Sequence, residues 1–414
     1  MTEPVDVLVI GGGPAGAATA AHLANQGHAA LVVERRRYPR PKSCGDALSP
    51  QAIRELSTFG IGPDELERFH RVDSVRFDGY GRSVEVAWPS HPRLPRHGIV
   101  AKRDHLDELL ANRARAIGAT VLEGHEATAP IIERGFLRGA VVQSPAGERE
   151  IRARYTVVAD GANSRFGRAL GTFRERSWPY ATAIRNYWAS PHHDVRHIEA
   201  VVDVVDRDGA PVTGYGWVFP VGDGTVNVGL GVLSTMRDFR SINTTQLLDV
   251  LAIRVADRWG IEPAEPLGAP ASGRIPLGLS VGPSAGPCHL VVGDAAGAAN
   301  PLTGAGIEYA CLSGRFAAEV IDEALRDNTS TALQRYPMLL NERLAGYYKV
   351  GRLLDRAAAK PAVLQRLSRA IVRHRSVAEA AVRVGVDEMR PHRTGLGEAA
   401  YGIARTVSRF APDA

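Results

Sequence analysis

Cysteine is scarce in this chain: Cys44, Cys288 and Cys311 are the three among 414 residues. So few exclude a disulfide framework and make a reducing, cytoplasmic setting the expectation. Long apolar runs are missing as well. No stretch approaches the roughly 18 apolar residues that cross a bilayer. The start, MTEPVDVLVIGGG, lacks the basic opening and small-residue cleavage site of a secretory signal. The 13 histidines show no ligand spacing, with His192 and His193 in an expected surface turn. No metal is therefore expected. A serine nucleophile elbow is absent, as are internal repeats and nucleic-acid motifs. Aromatic residues make up 6% of the chain, so a local cluster of them is informative.

What is present suits a soluble globular protein, 44% apolar and 23% charged. The length exceeds what one hydrophobic core organises, so two lobes, or a lobe with appendages, are expected. The net charge of +5 is uneven. Residues 331–414 carry 15 Lys/Arg against 7 Asp/Glu, a balance of +8, which leaves −3 for the first 330. This basic, helical C-terminal segment reads as solvated helix faces or as a dock for an anionic membrane surface. Nucleic acid is not an expected partner.

The run VDVLVI at 5–10 has the apolar continuity of a strand buried on both faces. Gly11, Gly13, Pro14, Ala15 and Gly16 follow it and open an alanine-rich helix that stops near Gly27. A second buried strand, 30–33, ends in Glu34 with Arg35 beside it. Glycines between a strand and a helix, with an acid 18 residues after the last, are a dinucleotide site. The helix N-terminus receives the phosphates, and Glu34 the ribose hydroxyls, which disfavours NADP there. A second signal lies in LVVGDAAGAANPLTGAGIEYA. A strand ends in Gly293-Asp294, and a loop through Gly304, Ala305, Gly306 and Ile307 opens another helix. Sites at both ends of a chain suit a long dinucleotide, FAD. Asp294 reads as a ribityl ligand or as an N-cap, and the helix from 306 aims its positive end at the flavin.

These motifs, with Asp160-Gly161 in VVADGANSR, resemble the FAD-dependent oxidoreductases of the para-hydroxybenzoate hydroxylase fold. The resemblance implies that the middle motif binds near the pyrophosphate and that Arg103, opening the helix RDHLDELL, lies along the FAD. Two further stretches are similar to one branch. SCGDALSP resembles the K-x-C-G-x-x-L loop of the geranylgeranyl reductase family, with Ala47 where that family has Gly. GYGWVFPVGDG resembles its Y-x-W-x-F-P-x-G motif. The C-G-D loop is that of its actinobacterial menaquinone-reducing members. The expected fold is α/β: a doubly wound Rossmann-like FAD-binding domain (1–70, 101–180, 272–330), an antiparallel β-sheet substrate domain (71–100, 181–271) and a C-terminal helical segment (331–414).

On a strand, Tyr215, Trp217 and Phe219 share one face, ahead of Pro220. They read as an apolar wall for a prenyl chain or as an ordinary sheet core. Gly214 and Gly216 point the other way. A trisubstituted alkene accepts hydride once a proton has placed positive charge on its tertiary carbon. A thiol, protonated at neutral pH, suits that task, so Cys44 is the expected donor or relay of the proton. Gly45 and Asp46 complete the loop, with Asp46 orienting the thiol or capping the helix at Pro50. Cys288 and Cys311 read as packing residues in a buried strand and a helix. The expected activity is FAD-dependent saturation of an isoprenoid C=C bond in a prenyl lipid, quinone tail or terpenoid. NAD(P)H, a ferredoxin or another reductant would supply electrons. The rival readings are a flavin monooxygenase or halogenase of the same fold, and a non-catalytic prenyl-lipid binding protein.

Overall fold

The computed structural model describes residues 5–236, 239–387, 401–402 and 406. Its centre is a parallel sheet whose neighbours run His289–Val291, Gly147–Val158, Val5–Ile10, Ala30–Glu34 and Thr120–Glu123. Val7, Leu8 and Val9 are fully buried, as apolar residues in a strand covered on both faces must be. Helices Pro14–Asn25, Arg103–Ile117 and Ile307–Arg326 cover one face. The other face is covered by antiparallel strands, Glu126–Glu133 and Phe136–Ser144, which pair onto the extended Gly147–Val158 strand.

The tightest point of this assembly is the first turn. A Cβ on Gly16 would lie 1.9 Å from the Gly11 carbonyl oxygen, and one on Gly11 2.4 Å from the Ala159 oxygen. Glycine is required there because helix and strand touch through backbone. This packs the first loop against the Asp160-Gly161 turn.

A second sheet of seven strands stands beside the first. Its order is Ala271–Pro276, Tyr180–Ala189, Thr225–Leu233, Gly214–Pro220, His197–Val201, Ser74–Gly79 and Arg82–Ala87. All its pairs are antiparallel except His197–Val201 with Ser74–Gly79. Strands His70–Val72 and Gly98–Val100 lie instead in a small sheet with Ala47–Leu48.

A helix absent from the sequence reading, Thr244–Trp259, covers the outer face of the large sheet. Its Leu247, Leu248, Leu251, Ala252 and Val255 meet Ile184, Trp188, Val218, Val228 and Leu230. Asn243 caps it through Gln246 N, and Gly260 ends it at φ +57. Gly216 faces this helix, where a Cβ would lie 2.8 Å from Leu251. The inner face is left to the side chains of the alternate register.

The described part of 331–414 is helical, ending in Gly346–Ala358, Pro361–Arg373 and Arg375–Gly385. Residues 388–400, 403–405 and 407–414 of that segment lie outside the described residues. No helix among the described residues is long and apolar enough to cross a membrane.

Gly16→Ala is expected to purify without visible flavin absorbance and to lose about 1–3 kcal/mol of stability through overpacking. Absorbance spectra and thermal unfolding check this.

Candidate active site

The first glycine turn ends against a buried ionic chain. Glu34, 5% exposed, accepts from Gly12 N at 2.9 Å and from Arg36 N at 3.0 Å. Arg40 bridges Glu34 at 3.3 Å and Asp107 at 3.1 Å. Asp107, fully buried, takes Arg103 through two hydrogen bonds of 2.8 and 3.0 Å. Arg103 in turn reaches the Cys44 thiol. The negative–positive alternation lets four charges stay buried and runs from the adenosine end of the glycine motif to the loop at 41–50. Arg40 and Asp107 were not read from the sequence, where nothing local distinguishes them. Arg35 is exposed and outside this chain of contacts.

The remaining motif residues converge on the same edge. Asp160 caps its turn through Phe166 N at 3.1 Å, while its Oδ1 is buried without a partner. Gly161 takes φ +84 and Gly293 φ +59, the latter so close to Ala15 that a Cβ would lie 2.8 Å from the alanine methyl. Asp294 is not the N-cap that sequence allowed, because Val292 precedes that turn. Its Oδ1 stands 3.3 Å from the position of a Gly306 Cβ, at the mouth of the helix Ile307–Arg326.

Asn300, fully buried, holds the loop through Gly304, Ala305 and Gly306. Its Oδ1 accepts from Leu302 N and Thr303 N, and its Nδ2 donates to Tyr309, Tyr347 and the Gly385 carbonyl. Glycine turns without side chains, an orphaned acid, and a helix N-terminus beside a second acid suit FAD. Gly11, Gly13, Pro14 and Gly16 can take the pyrophosphate, Glu34 the ribose and Asp294 the ribityl chain.

The 41–50 loop is tied at three points. Ser43 Oγ donates to the Ala271 carbonyl at 3.2 Å, and Ser49 donates to Glu308 on the first turn of the helix Ile307–Arg326. Between them, Asp46 takes φ +68 and is fully buried. Its Oδ2 accepts from Tyr187 Oη at 2.5 Å and from Asn227 Nδ2 at 2.8 Å, while its Oδ1 has no partner. Asp46 therefore does not cap the Pro50 helix, which Ser49 does through Ala52 N. Cys44 Sγ accepts from Asp46 N at 3.3 Å, and Asn227 Nδ2 also holds the Cys44 carbonyl at 3.0 Å. Ala47 fits because it lies in the strand Ala47–Leu48, the left-handed residue being Asp46.

The aromatic row faces this loop. Trp217 stacks on Phe219 with centroids 5.9 Å apart, and Tyr215 lies 6.0 Å from Trp217. A Cβ on Gly45 would come within 3.0 Å of Phe219 and 3.4 Å of Trp217. The polar tips are satisfied: Trp217 Nε1 donates to Asn227 Oδ1 at 2.9 Å and Tyr215 Oη to the Thr303 carbonyl at 2.6 Å. Pro220 ends the strand opposite Val226. Cys288 is a buried turn residue at φ +66, just ahead of its expected strand, and Cys311 is buried in the helix Ile307–Arg326.

Known proteins resemble this chain in sequence and fold. The FAD binding domain family matches residues 4–209, and the geranylgeranyl reductase catalytic domain matches 188–254. A menaquinone reductase of Mycobacterium tuberculosis is 36% identical over 92% of this chain and 91% of its own. The chain belongs to the geranylgeranyl reductase family. A second member, the digeranylgeranylglycerophospholipid reductase of Thermoplasma volcanium, is 30% identical over 82% of this chain and 84% of its own. A geranylgeranyl bacteriochlorophyll reductase-like structure from Thermoplasma acidophilum superposes with a TM-score of 0.78 at 27% identity, covering 94% of this chain and 97% of that one. The chain is thus an FAD-dependent oxidoreductase.

Burial dominates the electrostatics of this geranylgeranyl reductase site. It raises the Cys44 thiol above its ordinary value, with Arg103 opposing, so the neutral thiol prevails at neutral pH. Burial pushes Asp46 up to about 6 even though Tyr187 and Asn227 hydrogen-bond its charged form. It also pushes Glu308 up to about 7, against the Ser49 hydrogen bond. Weak acids beside an aromatic wall can deliver protons to a bound substrate.

Asp107→Asn is expected to leave Arg40 and Arg103 under-compensated and to cost about 3–5 kcal/mol. Denaturant unfolding of holoprotein, with flavin release followed in parallel, checks it.

Proposed function

We propose that this chain saturates a carbon–carbon double bond in the isoprenoid tail of a prenyl lipid, such as a quinone, with Cys44 as the proton donor. The observation that carries this reading is Cys44, its sulfur held by the Asp46 amide and its carbonyl by Asn227, on the loop that Gly45 packs against the Trp217–Phe219 wall. When bound and reduced, the flavin supplies the hydride equivalent. Trp217 and Phe219 lay the apolar chain flat and exclude water. Cys44 gives its proton to one alkene carbon, and the tertiary carbon, now electron-poor, accepts the hydride. The products are a C–H bond at each former alkene carbon and a thiolate. Arg103 stabilises that thiolate until protonated Asp46, positioned by Tyr187 and Asn227, returns a proton, which the carboxylate regains from water.

Membership of this reductase family favours the reading over an oxygenase or halogenase, and the FAD cradle favours it over a simple lipid carrier. The helix Pro361–Arg373 exposes Arg366, Leu367 and Arg373, and Arg375 follows it. This basic, partly apolar edge suits capture of substrate from an anionic membrane surface. Cosedimentation with anionic but not neutral vesicles, weakened by charge reversal of Arg366 and Arg373, is the expected result.

Cys44→Ala is expected to keep its FAD and to lose about 100- to 10,000-fold in kcat, the usual worth of a positioned acid. Full turnover in that variant would remove the proposal. Asp46 supplies protons only in its protonated form, so wild-type kcat should fall as pH rises above about 6. An Asp46→Asn variant should lose that limb of the profile.

A further inference from the structure

Arg185 is the residue of this face that the mechanism leaves unused. It is 9% exposed, and its Nε is buried without a hydrogen-bond partner. The nearby cations are all neutralised: Lys102 meets Asp223 at 2.6 Å, Arg103 meets Asp107, and Arg40 meets Glu34 and Asp107. Among the described residues no carboxylate makes an ion-pair contact with Arg185; its guanidinium lies 4.4 Å from the Tyr187 ring centroid, and the carboxylate its charge acts on, Asp46, is hydrogen-bonded by Tyr187 and Asn227 instead. A buried cation left this way is costly unless a ligand completes it.

The row next to Arg185 has space over it. Strand register puts Arg185, Gly229 and Trp217 in one row across the sheet, and Ala183, Gly231 and Tyr215 in the next. Gly273 continues the second row beyond Ala183. Trp217 leans over Gly229, where a Cβ would meet the ring at 2.3 Å. A Cβ on Gly231 would have one neighbour within 4 Å, Trp217 at 4.0 Å, and one on Gly273 would meet Ser43 alone, at 3.9 Å. The sheet thus offers a trough floored by small residues, with Tyr215 and Trp217 on one side and Arg185 at its head. The other end of Tyr187 holds Asp46, so Arg185 sits within one side chain of the proposed proton-delivery group.

We propose that Arg185 anchors an electron-rich oxygen on the head of the prenyl substrate, a phosphate or a quinone carbonyl, and so sets which double bond reaches Cys44. The proposal rests on the prenyl-reductase reading above and adds the substrate's polar end to it. Arginine suits this role because its planar fork binds phosphate or carbonyl oxygens while stacking on an aromatic face. An anchor so close to the acid fixes the count of carbons between head and reacting alkene. A tail held by apolar contact alone would slide.

The test uses dithionite-reduced holoenzyme with three probes of equal tail length: geranylgeranyl diphosphate, geranylgeraniol and a geranylgeranylated quinone. Arg185→Gln is expected to raise KM about 10-fold or more for the diphosphate or the quinone, the loss of one charge-assisted anchor, and to leave geranylgeraniol unchanged. The responding arm identifies the oxygen. Fragment mass spectra should show reduction spreading over several double bonds, and Arg185→Lys should restore part of the KM. Flavin content, flavin spectrum and melting temperature should match wild type. Equal KM and an unchanged product pattern in Arg185→Gln would overturn the proposal. So would loss of flavin, which assigns the residue to the cofactor, or a fall in kcat alone, which assigns it to support of Asp46. Wild-type enzyme that reduces none of the three probes would sink the underlying reading and this inference with it.

Discussion

One buried carboxylate joins the two halves of this molecule. Asp46 belongs to the loop after the second strand of the FAD sheet, yet its partners, Tyr187 and Asn227, stand on the other sheet. The residue takes φ +68, a conformation that costs an L-residue about 1 kcal/mol or more. Two hydrogen bonds to a buried acceptor offset that cost. With Asp46 fixed, Cys44 has no freedom: its carbonyl is held by Asn227 and its sulfur by the Asp46 amide. The same Asn227 receives Trp217, so one amide sets the thiol and the aromatic wall together.

Behind the loop, charge does what packing does in front. Glu34, Arg40, Asp107 and Arg103 alternate in sign from the glycine turn to the thiol. Each group is buried and each is compensated, so the chain is stable as a unit and intolerant of losing a member. It couples the cofactor-binding end of the fold to the loop that carries the proposed chemistry. The tether from Ser49 to Glu308 does the same from the helix Ile307–Arg326.

Local patterns in the sequence were enough for the parallel sheet. A six-residue apolar strand, three glycines and a helix carry their own periodicity, and Glu34, Asp160 and Asp294 follow such strands at fixed offsets. The aromatic row was legible because alternation puts Tyr215, Trp217 and Phe219 on one face of any strand. The partners of Asp46 were not legible. Tyr187 and Asn227 are 141 and 181 residues away, and only sheet register brings them in. Arg40 and Asp107 meet for the same long-range reason. The helix Thr244–Trp259 was readable in principle, from Asn243, the leucine spacing and Gly260, but it lies inside a stretch dominated by strand signals. Of the two roles the sequence allows Asp46, capping falls to Ser49, three residues on, while the Asp46 amide holds the thiol.

The central claim is that electrons leave the flavin for a carbon–carbon double bond, with this loop supplying the proton. Anaerobic single-turnover mixing of reduced holoprotein with a prenyl lipid tests it most directly, with flavin absorbance and product mass followed together. The account predicts flavin oxidation without oxygen and one lipid gaining two hydrogens for each flavin oxidised. Flavin that stays reduced until oxygen is admitted, with the lipid mass unchanged beforehand, would contradict it.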